Sequence, residues 1–155
     1  MNGNSFTTTI TVDQTPEETF AAINDARRWW LGAIEGPTNV LDGEFTYRYQ
    51  DIHFSKQKVT ELVPGRKVVW TVTESALQFA EHKDEWTGTK LVFDIARKGG
   101  KTEVRFRHVG LVPDLDCYGP CSNGWTHLLH ELAAFIASKE QPDLKAAGRS
   151  PERRA

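Results

Sequence analysis

Residues 108–136 read HVGLVPDLDCYGPCSNGWTHLLHELAAFI and contain the one long amphipathic helix that the sequence predicts. From Trp125 onward, apolar side chains recur at the i, i+3, i+4, i+7 spacing that forms a single stripe on a helix. The members of this stripe are Trp125, Leu128, Leu129, Leu132, Phe135 and Ile136. Such a face must be buried against another element. Because residues 6–111 read mostly as β-strand, we expect that element to be a sheet that wraps the helix.

The size and charge of the chain limit the classes of protein that it can be. Its 155 residues fit one domain, and its net charge of −2 gives no basic field for nucleic acid or an anionic membrane. No apolar run reaches the roughly 18 residues of a transmembrane helix, and the first residues lack the features of a signal peptide. Two cysteines, Cys117 and Cys121, are too few for a secreted disulfide scaffold. We therefore expect a cytoplasmic protein with neither a nucleic-acid nor a membrane partner.

The chain begins with a predicted strand and a capped helix. Residues 6–12 alternate apolar and threonine side chains, the period-2 pattern of a half-buried strand. Thr15 can cap a helix that starts at Pro16, and Glu18 completes a capping box three residues later. We expect this helix to end at Ile23.

A second short helix is predicted over residues 26–31, after a bend at Asn24 and Asp25. It carries two adjacent tryptophans, Trp29 and Trp30. From their adjacency we expect that only one of the two indoles points inward.

The middle of the chain predicts further antiparallel strands. Period-2 patterns and turn signals delimit segments at 33–35, 44–49, 52–62, 68–73, 89–95 and 102–110. Residues 75–88 read as an irregular segment. On the last strand His108 shares a face with Val104 and Phe106, and we expect that face to be the inner one. The result is an α+β fold with a curved antiparallel sheet of about six to seven strands around the C-terminal helix.

Four motifs, in this order, resemble a known family. They are Thr15-Pro16-Glu17-Glu18-Thr19-Phe20, Trp29-Trp30, Val59-Thr60-Glu61-Leu62-Val63-Pro64-Gly65-Arg66 leading to Val68-Val69-Trp70, and Asn123-Gly124-Trp125. The chain resembles the START-like, birch-pollen-allergen-like (SRPBCC) superfamily, in the branch homologous to the C-terminal domain of the activator of the Hsp90 ATPase. The resemblance implies the helix-grip fold and a cavity between sheet and helix. It predicts one START-like domain over 1–140, and the polar composition of 141–155 predicts a disordered tail.

The sequence predicts a binding site but no catalytic constellation. It contains no nucleophile elbow, phosphate loop, dinucleotide fingerprint or HExxH zinc motif, so we assign no catalytic residue, no metal and no cofactor. The candidate ligand-binding residues, which combine polar groups with inner-face aromatics, are His108, Cys117, Cys121, Trp125, Tyr47, Tyr49, Trp70 and Trp86.

The polar candidates have alternative interpretations. His108 is either a buried histidine bonded locally, or a polar contact for a ligand, or a base paired with a cysteine. Cys117 and Cys121 are either small buried side chains, or the partners of a labile disulfide, or zinc ligands together with His108, a site that would need a fourth ligand or an open position. Proline and glycine between the two cysteines predict a break in the helix there. His127 and His130 fall off the Trp125 face of the helix and are expected to face solvent.

Three functions are compatible with these features. The first is a domain that binds an unidentified apolar or aromatic small molecule between sheet and helix. The second, from the resemblance, is an interaction module for a chaperone or another protein. The third, from the superfamily, is a cyclase-like or hydrolase-like enzyme, which predicts a reactive thiol or imidazole.

Overall fold

Seven strands form a single antiparallel sheet in a computed structural model that describes residues 5–30, 32–78, 83–112, 115 and 118–139. Their order across the sheet is β1-β7-β6-β5-β4-β3-β2. The strands are β1 (Ser5–Val12), β2 (Ala33–Glu35), β3 (Glu44–Tyr49), β4 (His53–Val63), β5 (Lys67–Leu77), β6 (Lys90–Lys98) and β7 (Lys101–Val109). The helices are α1 (Pro16–Asn24), a 3₁₀ turn (Ala26–Arg28) and α2 (Tyr118–Lys139).

The predicted helix-grip fold is confirmed. The curved sheet holds α2 on its concave side, where α2 packs against β1 and α1. The face of α2 that meets the sheet is buried at Cys121, Trp125, Leu129, Leu132 and Ile136. No helix in the described ranges is long and apolar enough to cross a membrane.

The register of the central strands stacks large side chains in rows on the concave face. Phe106 of β7 lies opposite Phe93 of β6, and His108 lies opposite Leu91. Leu91 in turn lies opposite Trp70 of β5. All five side chains are completely buried, so this end of the sheet forms part of the core.

The N-terminus of α1 forms as the sequence predicts. The amide of Glu18 donates to Thr15 Oγ1 at 3.0 Å, and the amide of Thr15 donates to Glu18 Oε1 at 2.9 Å. This reciprocal pair satisfies two amides that a helix leaves unpaired at its start.

The prediction that only one of Trp29 and Trp30 points inward is wrong. Both indoles are buried, with exposures of 2% and 3%, and they stack with centroids 6.2 Å apart. Opposite side-chain directions for neighbours belong to β-strands, whereas these residues directly follow a 3₁₀ turn and show no such alternation. The Trp29 ring is held by a bond from its Nε1 to the Ala22 carbonyl at 3.2 Å.

Two further boundaries differ from expectation. The helix is not broken at Gly119 and Pro120, because both lie in the first turn of α2, where an amide has no intrahelical acceptor and proline is tolerated. The segment predicted to be irregular from residue 75 still belongs to β5 as far as Leu77, which is completely buried. The predicted tail at 141–155 lies outside the described residues.

Candidate functional site

A cleft of about 420 Å³ lies where the β3–β4 end of the sheet faces the first turns of α2. Its wall is mostly aromatic and aliphatic, with imidazole, hydroxyl and thiol groups at a few positions. The lining residues are Trp30, Tyr47, Tyr49, Ile52, His53, Trp86, Pro120, Cys121, Gly124, Trp125, His127 and Leu128. The cleft opens to solvent past Ile52, which is 42% exposed.

Stacked rings form the inner wall of the cleft. Trp30 lies on Tyr47 with centroids 4.0 Å apart and planes within 16°. Trp86 stacks on Trp125 at 5.7 Å, and Trp125 meets Trp30 at 5.5 Å. Because these four rings support one another and are at most 5% exposed, the wall is preformed rather than assembled around a ligand.

His108 lies behind this wall and not in it. Its Nδ1 accepts a hydrogen bond from Trp125 Nε1 at 3.0 Å, and its Nε2 is 2.9 Å from Thr89 Oγ1. An indole N–H can only donate, so the neutral ring carries its proton on Nε2 and donates to Thr89. The Thr89 hydroxyl then donates to the carbonyl of Trp86 at 2.5 Å. The chain of bonds therefore fixes both tryptophans of the wall through one buried imidazole.

The environment of His108 keeps the ring neutral. Burial lowers its pKa to about 3, with a smaller contribution from His53. Both ring nitrogens are hydrogen-bonded to protein groups and the residue is 0% exposed, so His108 holds Trp125 and Thr89 in place.

The structure brings together five of the eight predicted site residues. Tyr47, Tyr49, Trp86, Cys121 and Trp125 line the cleft. Trp70 and His108 are completely buried in the core beside it, and Cys117 lies outside the described residues.

Cys121 occupies the first turn of α2 at the edge of the cleft. Its sulfur accepts a hydrogen bond from Trp86 Nε1 at 3.3 Å, and the residue is 7% exposed. The thiol thus belongs to the same supported wall. Among the described residues no group of three or more His, Cys, Asp or Glu side chains is placed to hold a metal ion.

Sequence reasoning missed the polar residues that β4 directs toward the helix. His53 lies in the cleft wall, and Ser55 and Gln57 continue the same face as completely buried residues. Ser55 Oγ is 3.3 Å from His53 Nε2 and accepts a bond from Gln57 Nε2 at 2.5 Å. Burial lowers the pKa of His53 to about 4, so this imidazole is neutral near pH 7.

Tyr47 supplies a second polar group that stays uncharged. Burial raises the pKa of its hydroxyl well above the usual value; the Gly32 backbone hydrogen bond opposes the rise and nearby Tyr49 adds to it. The cleft also contains His127 at its rim, where Nε2 lies 3.7 Å from Glu131 Oε2. As expected, His127 and His130 are exposed residues.

Comparison with known proteins identifies the family and the fold. Residues 6–137 match the family described as Activator of Hsp90 ATPase homolog 1-like protein. The solution structure of the Aha1 dimer from Colwellia psychrerythraea is 23% identical, with a TM-score of 0.70 over 85% of this chain and 95% of that one. A Mesorhizobium loti protein, MLL2253, is 17% identical, with a TM-score of 0.69 over 86% of this chain and 98% of that one.

A third similar structure is DynU16, a protein of the dynemicin biosynthetic locus. It is 14% identical, with a TM-score of 0.63, and the match covers 90% of this chain but 49% of DynU16. At these identities the structural similarity speaks for a shared fold. No curated protein sequence matches the chain.

Proposed function

From the premise that the chain belongs to the Activator of Hsp90 ATPase homolog 1-like family, we propose that it binds a small aromatic molecule in the cleft beside α2. The observation that carries this proposal is a preformed, ring-lined cleft of about 420 Å³ beside the buried core. Such a volume is in the range of sites for small ligands, which combine apolar walls with a few polar groups.

The electrostatics of the cleft favour an uncharged ligand. None of its lining residues is Lys, Arg, Asp or Glu within the part of the chain that the structure describes. A charged ligand would lose its hydration here without gaining a partner of opposite charge, which is costly. Flat apolar rings, by contrast, can stack on Trp30, Trp86 and Trp125.

Gly124 offers a way to close the cleft without damaging the fold. It lines the cleft from α2, and a Cβ at this position would meet no atom within 4 Å. We expect Gly124→Leu to fill part of the cleft and weaken binding of naphthalene-type and flavone-type compounds at least tenfold in a thermal-shift and calorimetric screen. The same change should stabilise the free protein by about 0.8 kcal/mol, because leucine is a better helix former than glycine.

Gly119→Leu is the matched control for this experiment. Gly119 lies on the same helix with equally open space at its Cβ, but it is exposed and outside the cleft. Binding in this variant should equal that of the wild type. A screen in which no aromatic compound shifts the wild type, or in which Gly124→Leu binds unchanged, contradicts the proposal.

A second candidate function is contact with an Hsp90-class ATPase, which the family match favours. Val40 and Leu41, between β2 and β3, are 53% and 52% exposed and form an apolar tip that a protein partner could cover. If this tip is a docking point, the purified chain should change the ATPase rate of Hsp90, and Leu41→Lys should abolish the change. Gly124→Leu should leave it intact. An unchanged ATPase rate over an excess of the chain contradicts this candidate.

A further inference from the structure

His53 forms the polar part of the cleft wall, and its ring is held at a fixed angle. The edge of Trp86 meets it at a centroid distance of 4.6 Å and 83°, and Tyr47 meets it at 5.1 Å and 82°. Two perpendicular aromatic contacts leave the imidazole little freedom to rotate. The direction of its hydrogen-bonding groups is therefore set before a ligand arrives.

The neighbours of His53 decide which ring nitrogen carries the proton. Gln57 Nε2 donates to Ser55 Oγ, and among the described residues the other hydrogen-bonding neighbour of this hydroxyl is His53 Nε2 at 3.3 Å. A serine hydroxyl has a single proton, so it donates to Nε2 and the neutral ring keeps its own proton on Nδ1. Nδ1 has no hydrogen-bond partner among the described residues.

The orientation of the Gln57 amide supports this assignment. As placed, it leaves Gln57 Oε1 as a buried acceptor and Trp70 Nε1 as a buried donor without partners among the described residues. In the reversed amide the buried group without a partner would be the NH₂, which carries two donors, and buried N–H groups without partners are rarer in proteins than carbonyl oxygens without partners.

We propose that the Nδ1–H of His53 selects the ligand of the cleft, which is an uncharged aryl ketone whose carbonyl oxygen accepts this hydrogen bond. The inference rests on the proposed small-molecule function and assigns its ligand class. The hydroxyl of Tyr47 in the same wall stays protonated, so no phenolate charge opposes a ligand carbonyl there.

Two other assignments of these residues fit the structure less well. Ser55 and His53 resemble a nucleophile and its base, but Ser55 is 0% exposed and its oxygen already accepts from Gln57, so no substrate carbon can reach it. A carboxylate ligand would also accept from Nδ1–H. It would do so without a cationic partner from any lining residue, so the ketone is the better match.

A matched pair of probes tests the assignment. Fluorene and 9-fluorenone have the same ring system and differ only by a CH₂ group in place of the carbonyl. We expect the wild type to bind 9-fluorenone about fivefold more tightly than fluorene in calorimetric titrations, the effect of one neutral hydrogen bond. His53→Phe keeps a ring against Trp86 and should bind the two compounds equally. His53→Asn, whose side-chain NH₂ group replaces Nδ1–H, should restore the preference.

The outcomes separate this inference from the function on which it rests. Equal affinities in the wild type, or a preference that survives in His53→Phe, overturn the role of His53 while the cleft remains a binding site. Failure of both probes to bind overturns the aryl ketone class, and the wider screen with Gly124→Leu then decides the proposed function independently. If His53→Phe does not fold, as judged by circular dichroism, His53→Leu serves as the variant without a donor.

Discussion

Trp30→Ala is expected to lower the free energy of unfolding by about 3 to 5 kcal/mol, which is the usual cost of emptying a buried aromatic site. Trp30 is 3% exposed and stacks on Tyr47 at 4.0 Å and on Trp70 at 5.9 Å. The substitution removes a ring that belongs both to the wall of the cleft and to the core. For a domain of this size the melting temperature should fall by roughly 10 °C, measurable by calorimetry or urea denaturation.

Trp30→Phe is the control for this loss. Phenylalanine keeps an aromatic ring near Tyr47 with a smaller volume, so roughly half of the destabilisation should remain. If Trp30→Ala instead costs less than about 1 kcal/mol, the ring is not a packed part of the core and the wall of the cleft is not preformed.

Regular elements could be predicted from the sequence, whereas the directions of Trp29 and Trp30 could not. The strands and the start of α1 follow from local rules: alternation on β7 places His108 on the concave face, and the capping box at Thr15 starts α1. These patterns recur over several residues, so each prediction has several independent supports. Trp29 and Trp30 directly follow a single short 3₁₀ turn, where no period exists to indicate the direction of a side chain.

The polar side of the cleft could not be predicted from the sequence, for a different reason. On β4 the positions that face α2 are His53, Ser55 and Gln57, and both faces of the strand read as polar. A period-2 rule detects apolar residues on an inner face, so an inner polar row looks like a solvent-facing one. Register shifts between Lys56 and Gln57 and between Val59 and Glu61 further blur the pattern. Burial of these side chains is decided by tertiary packing.

The cleft itself depends on distances between elements that are far apart in the sequence. Its walls come from β3, β4, Trp86 and the first turns of α2, and no local rule fixes the gap between them. The sequence could name five lining residues because inner-face aromatics are few. It could not separate Trp70, which fills the core, from Trp86, which borders the cleft.

His108→Phe is expected to destabilise the protein by about 2 to 6 kcal/mol at pH 7.5. The ring would be replaced by one of similar shape, but Trp125 Nε1 and Thr89 Oγ1 would each lose a bond in a site without water access, at about 1 to 3 kcal/mol for each group. The hydrogen bonds that are lost hold Trp86 and Trp125 in place. The substitution should therefore change the tryptophan fluorescence as well as the unfolding midpoint.

The same variant should also flatten the dependence of stability on pH. Burial lowers the pKa of His108 to about 3 in the folded protein, whereas the unfolded imidazole titrates near 6.5. Between these values the unfolded state binds the extra proton, so wild-type stability is complete above 6.5 and falls by up to about 1.4 kcal/mol per pH unit below it. The stability difference between wild type and His108→Phe, measured by urea denaturation, should therefore shrink by about 2 kcal/mol from pH 7.5 to pH 5.0.

His108→Gln separates the contribution of the hydrogen bonds of His108 from the contribution of its titration. Its amide can accept from Trp125 Nε1 and donate to Thr89, so we expect a smaller loss at pH 7.5 than for phenylalanine. It does not titrate, however, and must show the same flattening toward pH 5.0. His53, whose pKa burial lowers to about 4, keeps its own part of the pH dependence in wild type and both variants. If the stability difference between wild type and each variant does not shrink toward pH 5.0, His108 binds a proton as readily in the folded protein as in the unfolded one, and the hydrogen-bond chain behind the cleft is wrong.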